Sequence, residues 1–140
     1  MINCVQKLKE AGFKLTPQRL AIAKYLDGNT CHPTAAHIYD DLKKDYPGMS
    51  MATVYNTLNT MSGLGLVNEH KLFKDQVHYD PDTSFHHHFC CDRCKTVVDV
   101  FDIESLPCFK EFEQKTKHRV SHVAIVLKGV CKTCLQNKKQ

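Results

Sequence analysis

The sequence predicts an α+β fold, with a winged helix-turn-helix in the N-terminal half and a small αβ domain in the C-terminal half. Two observations carry this prediction. The first half contains short stretches with apolar residues at helical spacing and ends in a candidate β-hairpin. The second half alternates like strands, contains one predicted helix and holds two matched pairs of cysteines.

The composition is that of an ordinary globular protein with an excess of metal-binding residue types. Of 140 residues, 42% are hydrophobic and 24% are charged, and the formal net charge is +4. No apolar run approaches the roughly 18 residues of a membrane span, and no secretory signal is recognisable, so we expect a cytoplasmic protein without a membrane partner. In a reducing compartment the 8 cysteines are more consistent with metal binding than with disulfides.

The domain boundary is predicted where the helical pattern gives way to strands. We expect one domain over residues 1–79 and a second over 80–140, with a hinge at about 76–83.

The first two helices follow from apolar spacing and from caps. The first helix ends at Gly12. Its inward face carries Val5, Leu8 and Ala11. Thr16-Pro17 supplies an N-cap and a first-turn proline for the second helix, which extends to Asp27-Gly28.

Two further helices and a hairpin complete the predicted first domain. Pro33-Thr34 starts the third helix, and Pro47-Gly48 interrupts the chain after it. Ser50 caps the fourth helix, which ends at Gly63 and Gly65. The inward residues are Ala35, Ile38 and Leu42 in the third helix and Val54, Leu58 and Met61 in the fourth. Residues 66–72 and 76–79 then alternate like a hairpin.

In a winged helix-turn-helix, the helix before the hairpin enters the DNA major groove. The outer face of the fourth helix carries side chains able to hydrogen-bond base edges and phosphates. These residues are Thr53, Tyr55, Asn56, Thr57 and Asn59. A helix face that is simply solvated fits the same pattern about equally well. The position of Tyr55 on this face favours DNA binding slightly over that alternative. Lys14 and Arg19 are candidate phosphate contacts.

Two cysteine pairs predict a structural zinc site. Cys91 and Cys94 form one pair, and Cys131 and Cys134 form the other, each spaced i, i+3. Two such turns can complete a tetrahedron of thiolates, whereas the alternative is buried or redox-active cysteines. The remaining cysteines are expected to be small core residues: Cys4, Cys31, Cys90 and Cys108.

A second metal site is centred on His86 and His88, which share one face of a predicted strand. Asp80, Asp99 and His32 are further candidate ligands. Imidazole and carboxylate donors suit Fe²⁺ or Mn²⁺ as well as zinc. The alternative is an exposed histidine cluster with unrelated acidic residues.

The chain is similar to the ferric uptake regulator family over essentially its whole length. The similarity lies in GFKLTPQR at 12–19, HPTA at 32–35, MATVY at 51–55 and the two cysteine pairs. The resemblance implies a homodimeric repressor that binds double-stranded operator DNA. Its N-terminal DNA-binding domain would be hinged to a C-terminal αβ dimerisation domain, with a regulatory metal ion between the two.

The resemblance also assigns the ligands by position. The regulatory ligands are His32, Asp80, His86, His88 and Asp99, and the four paired cysteines are the structural zinc ligands. Asp99 and Asn56 stand where iron-uptake regulators usually carry Glu and Arg, and both favour the peroxide-responsive branch. In that branch bound Fe²⁺ reacts with hydrogen peroxide and a ligating histidine is oxidised, which by position implies His32 or His86 in this chain. The repressor then leaves DNA, whereas Mn²⁺ supports DNA binding without oxidation.

Three alternatives remain open at this point. The same fold could sense the supply of iron, zinc or manganese. A hydrolase using the His/Asp site would need a substrate pocket and a base, for which the sequence offers no spare candidate, so we do not expect an enzyme. A cysteine redox sensor is disfavoured because zinc-bound thiolates are relatively protected.

An additional metal site that some members of the family have is not expected. Val123 rather than His122 aligns with the last-strand histidine of that site, and His87 replaces an aspartate.

Overall fold

The computed structural model describes residues 3–101 and 108–137. The chain divides into two compact units, Met1–Ser84 and Phe85–Gln140. The boundary expected at 79/80 lies a few residues before this division, and the strand that ends at Asp80 pairs with its neighbour inside the first unit. The DNA-binding and dimerisation roles of the two domains stay predictions.

The first unit consists of four helices followed by a two-stranded antiparallel hairpin. The elements are α1 (Cys4–Glu10), α2 (Pro17–Leu26), α3 (Ala35–Leu42), α4 (Met51–Gly63), β1 (Asn68–Phe73) and β2 (Gln76–Asp80). This order confirms the predicted winged helix-turn-helix arrangement.

The helix starts confirm the capping residues that the sequence predicts. The side chains of Thr16, Thr34 and Ser50 each accept a backbone N–H from the residue three positions later. Gly12 has φ +74° just beyond the end of α1, a conformation that costs glycine little and other residues more.

The core of the first unit lies where the helices meet the base of the hairpin. The predicted inward residues of α4, Val54, Leu58 and Met61, are fully buried. The prediction for Ala11 is wrong, because α1 ends at Glu10 and Ala11 is exposed beyond it. Cys4 is a core residue as predicted.

The second unit contains a three-stranded sheet in the order β4-β3-β5 and two short helices. Its elements are β3 (His87–Cys91), β4 (Val97–Val100), α5 (Cys108–Thr116), β5 (Val126–Gly129) and α6 (Lys132–Gln136). β3 pairs antiparallel with β4 and parallel with β5. The sequence predicts one helix here. The second, α6, forms because the Cys131 sulfur accepts the Cys134 N–H (3.5 Å) as an N-cap would.

The remaining three cysteines expected in the core differ in their burial or lie outside the described residues. Cys90 is buried as predicted, but the prediction for Cys31 is wrong. Cys31 is exposed in the loop before α3, where its N–H is tied to the side chain of Asn29. The Cys108 side chain lies outside the described residues. None of the helices in the described ranges has both the length and the apolar character needed to span a bilayer.

Candidate metal centres and nucleic-acid interface

The four paired cysteines converge at one end of the second unit. Their sulfur atoms all lie within 4.8 Å of one another. The Cys94 and Cys131 sulfurs are 3.7 Å apart. Sulfurs bound tetrahedrally at the usual zinc–sulfur distance of about 2.3 Å are separated by about 3.8 Å, so the cluster has the dimensions of a four-thiolate zinc site.

Local hydrogen bonds prepare two of these sulfurs for the thiolate form that metal binding requires. The Cys131 backbone N–H donates to the Cys91 sulfur (3.3 Å) and helps to lower the pKa of Cys91 to about 6. The Thr96 hydroxyl, 3.1 Å from the Cys94 sulfur, lowers the pKa of Cys94. Hydrogen bonding to Cys131 raises the pKa of Cys134 to about 12, so this thiol keeps its proton until a cation replaces it.

A second set of donors converges within the same unit. His86 directly precedes β3, and His88 lies on the same side because side chains alternate along a strand. Asp99 lies directly opposite His88 in the β3–β4 register. The imidazole Nε2 atoms of His86 and His88 are 3.1 Å apart, and they lie 3.2 Å and 3.5 Å from the Asp99 Oδ1 atom.

The dimensions of this triangle fit one face of a metal coordination sphere. Ligand atoms about 2.1 Å from an ion are separated by about 3.0–3.4 Å in octahedral or tetrahedral geometry. His87 points the other way, as the alternation predicts, and its Nδ1 accepts the Ile125 N–H (3.3 Å). Two imidazoles and one carboxylate on a shared face form a set that could hold Fe²⁺, Mn²⁺ or Zn²⁺.

The first unit contains a separate pair of candidate ligands. The His32 Nε2 atom lies 3.4 Å from the Asp80 Oδ2 atom, and both side chains are almost completely buried. His32 has φ +51°, a left-handed backbone conformation that is uncommon for a residue with a Cβ atom. The buried pair therefore combines a nitrogen and an oxygen donor on a backbone held in an unusual shape.

Sequence reasoning missed two histidines beside this pair. The Nδ1 atom of His78 lies 2.6 Å from the His32 carbonyl oxygen, and burial lowers the pKa of His78. His70 lies opposite His78 in the hairpin register, with its Nε2 atom 3.9 Å from the Asp80 Oδ2 atom. The alternation of β2, which puts His78 and Asp80 on one face, was the available signal.

The outer face of α4 carries most of the side chains that the sequence predicts there. Tyr55 is 48% exposed, Asn56 and Asn59 are exposed, and Thr53 is half-buried. The prediction for Thr57 is wrong, because it is fully buried. It lies three residues after Val54, on the same face, and its hydroxyl is satisfied by donating to the Thr53 carbonyl (2.7 Å).

The two candidate phosphate contacts lie at the start of α2, Lys14 in the loop before it and Arg19 in its first turn. Lys14 is exposed. Arg19 packs its guanidinium over the Phe13 ring (4.7 Å to the centroid) and donates to the Lys14 carbonyl (3.0 Å). Since a guanidinium has five N–H donors, Arg19 keeps further donors for a phosphate while fixing the backbone at Lys14.

Comparison with known proteins adds to this geometry. The family model described as the ferric uptake regulator family matches residues 10–128. A curated relative, the peroxide-responsive repressor PerR of Staphylococcus aureus, is 36% identical over 134 residues, which cover 93% of this chain and 88% of that protein.

Solved structures are similar in fold and sequence. The Campylobacter jejuni peroxide stress regulator is 34% identical with a TM-score of 0.66, covering 95% of this chain and 100% of that chain. The Francisella tularensis ferric uptake regulator with iron is 25% identical with a TM-score of 0.72, covering 89% and 96%. The chain therefore belongs to the ferric uptake regulator family.

Proposed function

We propose that the protein is a metal-dependent, DNA-binding transcriptional repressor that senses hydrogen peroxide through Fe²⁺-dependent oxidation of a ligating histidine. The observation that carries the proposal is the convergence of His86, His88 and Asp99. Two histidines and one carboxylate with open positions are typical of non-haem Fe(II) sites that react with oxygen. The similarity to peroxide-responsive regulators supports the same function.

The regulatory ion would be held by residues of both units. The five ligands are His32, Asp80, His86, His88 and Asp99. If these five residues held one ion, the DNA-binding unit would be tied to the second unit, which would favour the arrangement that fits operator DNA. The four cysteines hold a structural Zn²⁺ ion, and the regulatory site takes Fe²⁺ or Mn²⁺.

Peroxide acts on the imidazole of His32 or His86. Bound Fe²⁺ supplies the reactivity toward peroxide. The ring gains one oxygen atom from hydrogen peroxide, loses two electrons to it, and the second oxygen leaves as water. Both rings are nearly inaccessible to solvent, which limits oxidation that does not start at the bound metal. An oxidised ring is a poorer ligand, so the two units separate and the repressor leaves DNA.

The repressor acts as a homodimer through the second unit. Apolar side chains remain exposed on its sheet and helices, and a second copy of the chain would cover them. They include Val98, Phe101, Phe112, Val126, Leu127 and Leu135. Two DNA-binding units related by a two-fold axis would then bind a pseudo-palindromic site.

Removing the Tyr55 hydroxyl tests the DNA-binding part of the proposal. Because α4 presents this group to the major groove, Tyr55→Phe should reduce discrimination between operator and scrambled DNA by roughly 1–3 kcal/mol. Fluorescence anisotropy with Mn²⁺-loaded protein, on a site selected from random duplexes, measures the change. Tyr25→Phe is the matched control, because the Tyr25 hydroxyl is already bonded to Asp41. Wild-type discrimination by Tyr55→Phe would contradict the assignment of α4 as the recognition helix.

The second candidate function is regulation by the supply of iron or another metal. It is favoured by the likeness to an iron-containing ferric uptake regulator. The two functions differ in their response to dilute peroxide. A regulator of metal supply should keep its Fe²⁺-dependent DNA binding after the pulse, whereas a peroxide sensor should lose it.

A further inference from the structure

We propose that His78 is a positioning residue that sets the backbone of His32 and thereby prepares the regulatory site for its metal ion. His78 belongs to β2 and is not one of the five ligands. The inference rests on the proposed function, because it concerns the orientation of a ligand in that site. Every contact that carries it lies within the first unit.

The contact between the two residues is short and buried. The His78 Nδ1 atom lies 2.6 Å from the His32 carbonyl oxygen, and the two residues are 4% and 1% exposed. A carbonyl oxygen only accepts, so Nδ1 carries the proton and donates. Backbone contacts frame this bond. The Tyr79 N–H donates to the Pro33 carbonyl (2.9 Å), and Thr34 forms a β-bridge with His78.

The bond falls where the backbone needs support. With φ at +51°, His32 occupies a region that sterics make unfavourable for residues with a Cβ atom. Such a conformation persists when its surroundings determine it more strongly than its own preference does. The Pro33 ring that follows fixes the chain on one side of His32, and the His78 donor fixes the carbonyl between them.

The consequence is the direction of the His32 imidazole. The backbone conformation determines where the ring leaves the chain, and here its Nε2 atom lies 3.4 Å from the Asp80 Oδ2 atom. Metal affinity depends on such prior orientation, and losing the partners that orient a ligand typically lowers affinity about 10- to 100-fold.

The surroundings of His78 explain which atom of the ring matters. Its Nε2 atom is buried and has no hydrogen-bond partner among the described residues. The Phe73 ring packs edge-on at 5.5 Å between centroids. The Nδ1 donor is therefore the useful polar group of His78. An asparagine amide places an N–H donor close to the Nδ1 position, whereas glutamine places it farther from the backbone, near Nε2.

The test compares His78→Asn, His78→Gln and His78→Phe in the full chain with its structural zinc. Competition with a chelator measures the affinity for Mn²⁺, and visible absorption of the Co²⁺-loaded protein reports the ligand field. We expect about a 10- to 100-fold loss of Mn²⁺ affinity and an altered Co²⁺ spectrum for the Gln and Phe variants. His78→Asn should remain close to wild type, with zinc content equal in all.

Two results would overturn the inference, and a third tests the proposed function on which it rests. Equal Mn²⁺ affinity for the Asn and Gln variants overturns it, and this comparison survives even if His78→Phe does not fold. A purely structural role would lower the melting temperature without changing the Co²⁺ spectrum of the folded protein. His32→Ala tests the proposed function separately, because unchanged Mn²⁺ affinity in that variant would remove His32 from the site altogether.

Discussion

Replacing Cys91 with serine is expected to unfold the second unit while the first stays folded. Among the described residues of the second unit, the buried hydrophobic side chains are Cys90, Cys91 and Val97. So small a core cannot offset the entropy of ordering the chain. A structural zinc site contributes about 10–16 kcal/mol of apparent binding free energy at neutral pH, and the variant loses most of it.

Zinc content together with amide NMR spectra measures this effect unit by unit. Signals from 85–137 should collapse to the dispersion of an unfolded chain, whereas signals from the helices of the first unit persist. Cys31→Ser is the matched control, since Cys31 is an exposed thiol in the other unit. It should keep full zinc content. A zinc-free Cys91→Ser protein with a folded second unit would contradict the structural role of the metal.

Dilute peroxide is expected to abolish operator binding by Fe²⁺-loaded protein and to leave Mn²⁺-loaded protein unaffected. Oxidation of one ligating imidazole would remove one of the five proposed donors, two of which, His88 and Asp99, are paired across β3 and β4, and the weakened site should lose its ion. Anisotropy titrations before and after an anaerobic peroxide pulse measure the change. The oxidised protein should bind no better than metal-free protein.

Asp99→Glu provides a graded control for this response. The added methylene displaces the carboxylate that now lies 3.2 Å from His86 and 3.5 Å from His88. Metal-dependent DNA binding should survive, and the peroxide response should slow. An unchanged rate of inactivation would remove Asp99 as a determinant of peroxide sensing.

Local signals in the sequence are sufficient for much of this fold. The starts of α2 and α4 are predicted by Thr16 and Ser50, because capping is decided by a few neighbouring atoms. The cysteine spacing predicts two tight turns that each bring two sulfurs together, and the pairing of β3 with β5 then places the two turns side by side. The α4 core residues follow from helical periodicity.

The errors concern side chains whose exposure the spacing of apolar residues does not decide. Thr57 is polar and was expected outside, but its hydroxyl is satisfied within α4 and can be buried at little cost. Cys31 is exposed because its loop is set by a side chain two residues earlier. The link from His78 to His32 joins residues 46 positions apart, and no local pattern contains it.

Peptide mass spectrometry after anaerobic Fe²⁺ loading and a brief, dilute peroxide pulse shows whether peroxide oxidises a histidine of the regulatory site. We expect a gain of one oxygen atom on the peptide that contains His32 or His86, absent from the Mn²⁺-loaded protein, with the four zinc cysteines unmodified. No gain on either peptide, with those cysteines intact, would contradict peroxide sensing and leave a regulator of metal supply.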